Sequence, residues 1–533
     1  MKFLLHIVAK DFRGLRDRWV YWLGAMVIKT GAALWLVWGR GVDATTYDYV
    51  CKSLLVLVPT EVALTFLLTA MIVQADPLVG EQPFWRTRPI SGARMLAAKM
   101  VSLFVLLGLP VCGVALPWWW ACGGGLANIA SVAVLMLLVQ AAIMFPAVVV
   151  ASVTDSLGRF FVWSLLVVTG FGVAGLANPL ALVRPGPSEA ALASSRLTAY
   201  FAVAVLTGVT VVVWQYVGRN RRVGYGLLAG GWLVALAAAT WWPWSMDPTR
   251  WTGDSRGAAP LAKIEVEIDG TRIAPRALKA NYDVVTTQLR VSGLPENVYL
   301  GVRRSEHGWR WPDGTVFRDF GAGLSSYQPM LEAVRRELRL PEPRDEVAWR
   351  AKYPDAGKSR VGLTMAHAHT EKLRAGPPRY ELKTELVVLR PRLGLEVPLR
   401  LAGWQARNGH GVRLIGESPG GPKQPVRVTY LHTEFPLRAA DWLRTTFSSS
   451  GPDYGAAQWF WLDRATGQLK PLGSGTSSLR WVIAGVTVSL PLVSLDERDL
   501  RDAAVRGLSL VWVDWEGGTP FTRTMTAERF EVR

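Results

Sequence analysis

The sequence contains few cysteines and lacks the motifs of several protein classes. Its three cysteines, Cys51, Cys112 and Cys122, all lie before residue 123, so the rest of the chain has no disulfide framework. No Gly-x-x-x-x-Gly-Lys-Ser/Thr segment occurs, and ATP hydrolysis is therefore not expected from this chain. The net charge is +17, but the residues after 246 contain no basic run, zinc finger or RNP-like motif, which argues against nucleic-acid binding.

Seven long apolar stretches occupy the first 243 residues, and none follows. They cover 19–39, 51–74, 99–120, 125–153, 159–178, 197–217 and 223–243. Each is near or above the ~20 residues that a helix needs to cross ~30 Å of hydrocarbon, whereas soluble core helices are shorter and carry a polar stripe. The sequence therefore predicts an all-α transmembrane domain of about seven helices over 19–243, a linker over 244–260 and a soluble C-terminal region.

Lys and Arg are concentrated in alternate connections between the apolar stretches. They cluster before the first stretch, after the second and after the sixth, and short loops rich in these residues stay in the cytoplasm. This bias predicts a bacterial inner-membrane protein with a cytoplasmic N-terminus and, after seven spans, an extracytoplasmic C-terminal region. The aromatic clusters 118–120 and 241–244 then lie at the outer interface. If the Gly-rich residues 171–181 re-enter the membrane instead of spanning it, the C-terminal region moves to the other side.

The residues before the first apolar stretch have a helical period. Apolar side chains recur every three or four residues, which places them on one face of a helix. They are Leu4, Val8, Phe12, Leu15 and Trp19. This pattern predicts an amphipathic helix over 1–18 that lies on the inner leaflet, and the alternative is a cytoplasmic extension of the first span.

The segment 76–99, between the second and third spans, has the most distinctive sequence. It places Phe84 and Trp85 beside two arginines, and aromatic and Arg side chains together are good anchors at protein interfaces. Ser91 can cap a helix that runs into the third span. The segment is therefore a candidate docking surface for a partner protein. The alternative is that Phe84 and Trp85 anchor the loop in the headgroup layer.

This segment resembles the membrane subunits of type-2 ABC exporters. The shared pattern is an acidic residue, then Phe-Trp-x-x-Arg-Pro-Ile-Ser at 84–91, then Ala-Lys at 98–99, and the likeness covers roughly residues 1–222. In that family an interfacial helix precedes six spans, and the loop after the second span docks on a separate ATP-binding subunit. The seventh span and the C-terminal region depart from the family pattern. The resemblance implies that the coupling contact is formed by Asp76, Glu81, Phe84, Trp85, Arg86, Arg88 and Pro89.

Two ionisable residues lie deep within predicted spans. Lys29 is ten residues into the first span and Glu61 is ten residues into the second, which places each ~15 Å deep at ~1.5 Å per residue. A lone charge at that depth costs from ~2.5 to over 10 kcal/mol. We therefore expect Lys29 and Glu61 to form an intramembrane charge pair, and the alternative is that they line a substrate path.

After residue 260 the hydrophobic pattern changes from helical to alternating. Apolar and charged residues alternate over 263–268, and further apolar runs recur to the C-terminus between turn signals such as Asn408-Gly409. This predicts a soluble all-β region of sandwich-like antiparallel strands, with one helix near 327–340. Its roughly 275 residues suggest two lobes, 261–375 and 376–533.

Catalytic and metal signatures are weak in the C-terminal region. Residues 416–420 match Gly-x-Ser-x-Gly, but nearby prolines prevent the helix that a nucleophile elbow needs, so a hairpin turn is preferred. His367 and His369 would share one face of a strand and could bind a metal, but no third ligand is identifiable. Surface histidines are preferred, and we predict no catalytic residue, metal site or cofactor.

Together these features predict the permease subunit of an ATP-driven ABC exporter. It would be coupled through residues 76–99 to a separate ATP-binding subunit and would pair with a second permease copy, identical or not, in the lipid bilayer. The alternative is a membrane-anchored envelope binding or assembly module whose β-rich region recognises an extracytoplasmic partner. The aromatic–Arg surface discriminates between the two, because an anchor needs no such docking surface.

The loop charges lead to a topology prediction. A reporter that is active only outside the cytoplasm should be active when it is fused after Arg533 and silent when it is fused after Arg222, because the Lys/Arg bias sets the orientation. An inactive fusion at Arg533, in a protein that is stably inserted, would contradict the seven-span arrangement.

Overall fold

The computed structural model divides the chain into two compact units. One unit comprises Met1–Met246, Thr433–Leu443 and Arg480–Val488, and the other comprises Asp247–His432, Arg444–Leu479 and Ser489–Arg533. The structure describes residues 2–39, 44–76, 91–166, 187–218, 220–241, 264–275, 282–295, 298–321, 327–341, 359–375, 378–399, 403–418, 426–435, 458–472, 480–489, 492–495, 507–517 and 521–527.

The first unit is built mainly of helices. They are α1 (Lys2–Trp38), α2 (Ala44–Gln74), α3 (Gly92–Leu103), α4 (Leu109–Ala121), α5 (Leu126–Val153), α6 (Leu157–Leu166), α7 (Pro187–Val217) and α8 (Arg221–Trp241). Five described helices are long and apolar enough to cross a membrane, which agrees with the predicted membrane-associated α-helical region. α6 and the apolar part of α8 are shorter, and much of the fifth predicted span, together with the linker 244–260, lies outside the described residues.

Helix α1 runs without a break from residue 2 to residue 38. The segment 1–18, which was predicted to be a separate interfacial helix, is thus continuous with the first apolar stretch. α1 packs antiparallel to α2, because Trp22 Nε1 donates to Thr65 Oγ1 at 3.0 Å while Arg18 lies against Met71. On the predicted apolar face, Leu15 is buried and the other four residues are partly buried.

A π-helical turn, Phe104–Gly108, joins α3 to α4 into one helix from Gly92 to Ala121. Leu109 N–H bonds to Phe104 O, five residues earlier, instead of to the carbonyl four residues earlier. Pro110 has no N–H and so cannot donate to Leu106 O, its usual i−4 acceptor. Trp19 of α1 replaces that donor, since its Nε1 lies 2.7 Å from Leu106 O.

The second unit is rich in β-strands. The described strands are β1 (Glu265–Pro275), β2 (Tyr282–Ser292), β3 (Tyr299–Arg310), β4 (Val316–Gly321), β5 (Ser359–Ala366), β6 (Arg379–Pro398), β7 (Gln405–Arg407), β8 (His410–Ser418), β9 (Val426–Glu434), β10 (Trp459–Asp463), β11 (Gln468–Pro471), β12 (Arg480–Ile483), β13 (Val486–Ser489), β14 (Leu492–Leu495), β15 (Ser509–Gly517) and β16 (Phe521–Ala527). Among the described residues, α9 (Tyr327–Glu337) and α10 (His367–Ala375) interrupt them. The predicted helix near 327–340 corresponds to α9.

The sheets of the second unit pair antiparallel wherever a register is described. One sheet has the order β1-β2-β5, and the largest has the order β11-β10-β15-β6-β3-β4, with β16 also paired to β6. A further group joins β9 to β8 and β14, and β8 to β7. The β7–β8 turn uses Asn408 and Gly409, both with positive φ, as the Asn-Gly signal predicts.

Strand β6 is the centre of the largest sheet and pairs with strands from both sides of the proposed lobe boundary. It follows that boundary in sequence, yet it pairs with β3 over Tyr299–Arg310 and with β15 and β16. Its first residues alternate exposed and buried, so one face packs on a core while the other meets solvent. The largest sheet therefore contains described strands from both sides of residues 375–376.

His307 lies in a buried chain of hydrogen bonds within the second unit. Its Nδ1 is 2.7 Å from Tyr380 Oη and its Nε2 is 3.1 Å from Ser305 Oγ, while Thr287 Oγ1 is 3.1 Å from the same Tyr380 oxygen. These hydrogen bonds link β2, which belongs to the β1-β2-β5 sheet, to β3 and β6, which are neighbours in the largest sheet. Burial lowers the pKa of His307 to about 4, because a buried imidazolium loses its hydration.

The pKa of His307 predicts acid-sensitive folding of the β-rich unit. The unfolded chain takes up this proton near pH 6.5, whereas the folded chain does so only near pH 4, so stability falls as the pH drops through that window, by up to ~3 kcal/mol from this group. His307→Gln keeps polar atoms but does not titrate, and it should flatten the loss. Denaturant unfolding in detergent at several pH values measures it, and an equal pH dependence in both proteins would contradict the assignment.

Candidate functional site

Four charged residues meet in the first unit, at the two ends of the segment 76–99. Lys99 Nζ lies 2.9 Å from Asp11 Oδ1 and 2.8 Å from Asp76 Oδ2, and Lys10 Nζ also contacts Asp76. We call Lys10, Asp11, Asp76 and Lys99 the ion cluster. Its members come from α1, the residues just after α2, and α3, so the cluster fixes three chain segments to each other.

The ion cluster is buried and electrically balanced. The side chains of Lys99 and Asp11 have no exposed surface, Asp76 is 6% exposed and Lys10 is partly open. Burial alone would raise the pKa of Asp76, but Lys99 and Lys10 hold it below its usual value. Two cations face two carboxylates, so removing Asp11, Asp76 or Lys99 leaves a buried charge uncompensated, which typically costs ~3–5 kcal/mol.

The start of α3 is fixed by a cap and by a close helix contact. Ser91 Oγ accepts a hydrogen bond from Arg94 N at 3.4 Å, and this confirms Ser91 as the predicted N-cap. Gly92 packs against the end of α7, where a Cβ would come within 1.9 Å of Tyr216 O. Only glycine allows this approach, so the segment 76–99 ends where α3 touches both the ion cluster and α7.

The residues proposed for the coupling contact are placed unevenly by the structure. Asp76 lies in the ion cluster, where it holds Lys10 and Lys99 instead of facing a partner. The remaining members lie outside the described residues: Glu81, Phe84, Trp85, Arg86, Arg88 and Pro89. Their docking role stays a prediction.

Sequence reasoning missed Asp11 and Lys99 as partners. Both sit in helices with buried apolar residues four positions on either side, namely Ile7 and Leu15 around Asp11, and Met95 and Leu103 around Lys99. A charge in that register lies on the buried face of its helix and needs a counter-charge. The pairing itself joins residues 88 positions apart, which no local pattern shows.

Lys29 and Glu61 are brought together by α1 and α2. Lys29 Nζ contacts Glu61 Oε2, and the two side chains are 11% and 14% exposed. One turn of α2 further on, Thr65 accepts from Trp22 Nε1 and lies 3.5 Å from Gln140 Nε2 of α5. A buried polar contact among α1, α2 and α5 therefore lies one helical turn from the charge pair.

The three tryptophans 118–120 differ in exposure, although the sequence predicted all of them at the outer interface. Trp118 and Trp119 are 0% and 1% exposed, whereas Trp120 is 70% exposed. The first two indoles donate to Ile483 O and Ala484 O at 3.1 and 2.8 Å. The predicted outer-interface position therefore suits Trp120, and the other two are packing residues because a hairpin from the C-terminal chain covers them.

The predicted histidine pair does not form a site. β5 ends at Ala366 and α10 begins at His367, so His367 and His369 are on a helix, where residues two apart do not share a face. The strand expected there is wrong. His367 Nδ1 instead lies 2.8 Å from Asp283 Oδ2. Within the described ranges, no group of three or more His, Cys, Asp or Glu residues is arranged to hold a metal.

The second unit contains a cleft beside a buried His–Asp pair. The cleft, about 630 Å³ in volume, is lined by β6 residues including Gly394 and by Arg407 and Ser509. Beneath it, His410 Nε2 lies 2.9 Å from Asp514 Oδ2. A Cβ on Gly394 would lie 2.9 Å from that oxygen, so glycine allows β6 to cover the pair. Both side chains of the pair are buried, and neither lines the cleft.

The Lys29–Glu61 contact predicts a non-additive mutant cycle. Lys29→Met and Glu61→Leu should each lower stability in detergent by ~3–5 kcal/mol, because each leaves one buried charge alone, and the double variant should recover much of that loss. Thermal inactivation of the purified variants measures the cycle. A stable double variant that no longer transports would favour a substrate path, a stable and active one would favour plain pairing, and additive losses would contradict the contact.

Comparison with protein-family models, with curated proteins and with solved structures found no match for this chain.

Proposed function

We propose that this chain is the permease subunit of an ATP-driven exporter of the type-2 ABC class. A separate ATP-binding subunit hydrolyses ATP and docks on the segment 76–99, and a second permease copy completes the transport path. The chain itself supplies no ATPase chemistry in this proposal, and neither a cofactor nor a metal takes part.

The ion cluster is the observation that carries this proposal. A segment that receives force from an ATPase must be fixed at both ends, otherwise the loop moves and the helices do not. Here Asp76 and Lys99, at the two ends, bind one another and are also bound to α1 through Lys10 and Asp11. Gly92 adds α7, so a push on the segment reaches α1, α2, α3 and α7.

The proposal includes a seven-span topology. Five described helices are long and apolar enough to span. In the proposed topology, α6 is the start of the fifth span and α8 forms the seventh. With the N-terminus in the cytoplasm, the ion cluster and the segment 76–99 lie on the side where ATP is available. The β-rich unit then lies outside, where it would guide, shield or recognise cargo.

The cleft in the β-rich unit favours a second candidate function. At about 630 Å³ it is within the usual size range of ligand sites, and a membrane-anchored module that binds an envelope component would use such a site. In that case the helices serve as an anchor, and the segment 76–99 has no ATPase to bind.

A pull-down with a matched control separates the two functions. The chain is co-expressed with a candidate ATP-binding protein that carries a Walker A motif, and Trp85→Ala with Arg88→Ala should weaken co-purification, since losing an interface hot spot costs ~2 kcal/mol or more. The control is Trp120→Ala with Arg159→Ala, which removes the same residue types from exposed positions elsewhere.

The outcome of this experiment is read from affinity and from ATPase activity together. The account predicts a loss of both in the Trp85/Arg88 variant and wild-type values in the control. Unchanged affinity in the Trp85/Arg88 variant would contradict docking on this segment. If the wild-type chain binds no ATP-binding protein, the anchor function is favoured instead.

A further inference from the structure

A hairpin from the C-terminal half of the chain contacts the C-terminal end of the helix Gly92–Ala121. β12 and β13 form the hairpin, and Ala484 and Gly485 make its turn with positive φ. Trp118 Nε1 donates to Ile483 O at 3.1 Å and Trp119 Nε1 donates to Ala484 O at 2.8 Å. Both indoles are buried, so these hydrogen bonds are shielded from water and are costly to lose.

The hairpin turn also packs tightly against α5. A Cβ on Gly485 would lie 2.8 Å from Val132 Cγ1 and 3.4 Å from Met136 Sδ. Nearby, a Cβ on Gly124, in the turn between α4 and α5, would come within 2.7 Å of Phe435. The hairpin and Phe435 thus fill the space around the α4–α5 turn, and all of these residues belong to the first unit.

The helix Gly92–Ala121 therefore has a fixed contact at each end. Lys99 is held by the ion cluster, and Trp118 is held by the hairpin, 19 residues later, which is about 28 Å along a helix. That distance matches the ~30 Å thickness of the hydrocarbon core. One continuous helix, long and apolar enough to cross a membrane, consequently connects the ion cluster to the hairpin.

The π turn gives this helix a place where its geometry can change. Leu109 N–H bonds to Phe104 O in the i→i+5 pattern, and the ordinary i→i+4 pattern is the nearby alternative. Trp19 of α1 holds Leu106 O, so α1, which also carries Lys10 and Asp11, acts on the same turn. Coupling between distant sites needs such an element with two arrangements.

We propose that the helix Gly92–Ala121 couples the segment 76–99 to the β12–β13 hairpin, with Trp118 and Trp119 as positioning residues. This inference rests on the proposed export function, in which it gives ATP-driven movement a route to the hairpin at the other end of the helix. In this proposal the hairpin changes when the ion cluster changes, and it does not serve only to connect neighbouring strands.

Hydrogen exchange on the purified full chain, without any ATP-binding protein, tests the coupling. Asp76→Asn disturbs the ion cluster and should speed exchange of the hairpin amides, residues 480–488, by about fivefold or more. Ser91→Ala is the milder second variant, and it should speed the same amides by about two- to fivefold through loss of one N-cap. The matched control is Ser156→Ala, which removes an N-cap of equal geometry from α6 and should leave the hairpin unchanged.

Linkage requires the reverse effect as well. Trp119→Phe keeps an aromatic ring but removes the N–H donor, and it should speed exchange over residues 92–98, whereas Trp120→Phe, at an exposed ring, should not. If Trp119 acts only in local packing, Trp119→Phe should change hydrogen exchange in the hairpin alone.

The outcomes separate this inference from the proposed function. Unchanged exchange at the hairpin, in variants whose own first turn of α3 exchanges faster, would overturn the coupling, and so would equal changes in the Ser156 and Trp120 controls. Because no ATP-binding protein is present, these results do not depend on docking, which is read independently from the Trp85/Arg88 pull-down.

Discussion

Lys99 is a cation with no exposed surface, and much of the first unit is arranged around it. A buried ammonium loses its hydration, so it requires carboxylates at hydrogen-bonding distance. Asp11 and Asp76 provide them, and Lys10 restores the balance of charge. Meeting this requirement brings the N-terminal helix, the end of α2 and the start of α3 to one point. The charges that stabilise the bundle are thus the same charges that join the ends of the segment 76–99.

The sequence predicted those parts of the structure that depend on local pattern or on a strong single-residue cost. The apolar stretches give the long helices, the Asn408-Gly409 signal gives a hairpin turn, and the depth of Lys29 and Glu61 requires a pair. Contacts between distant residues were not predictable, since Trp118 and Ile483 are 365 positions apart. His367 and His369 were expected on one face of a strand, but both lie in α10. The pairing of β6 with β3, before the proposed lobe boundary, and with β15, after it, likewise has no local signal in the sequence.

Two proline- and glycine-dependent contacts show how single residues determine the helix packing. Pro110 leaves Leu106 O without its helical donor, and Trp19 supplies the missing N–H at 2.7 Å, which ties α1 to the π turn. Gly92 allows α3 to approach Tyr216 O so closely that any side chain would collide, which ties α3 to α7. With the hairpin at the other end, the helix Gly92–Ala121 contacts its neighbours at its start, its middle and its end.

Nucleotide-dependent hydrogen exchange in the complex with the ATP-binding protein tests the central claim most directly. The claim is that ATP-driven movement enters through the segment 76–99 and passes through the ion cluster. Adding ATP with vanadate should therefore change exchange over residues 7–15 and 91–103 several-fold, and Asp76→Asn should abolish the change over 7–15 while the complex stays assembled. Identical exchange in both nucleotide states, in a complex that hydrolyses ATP, would contradict the account.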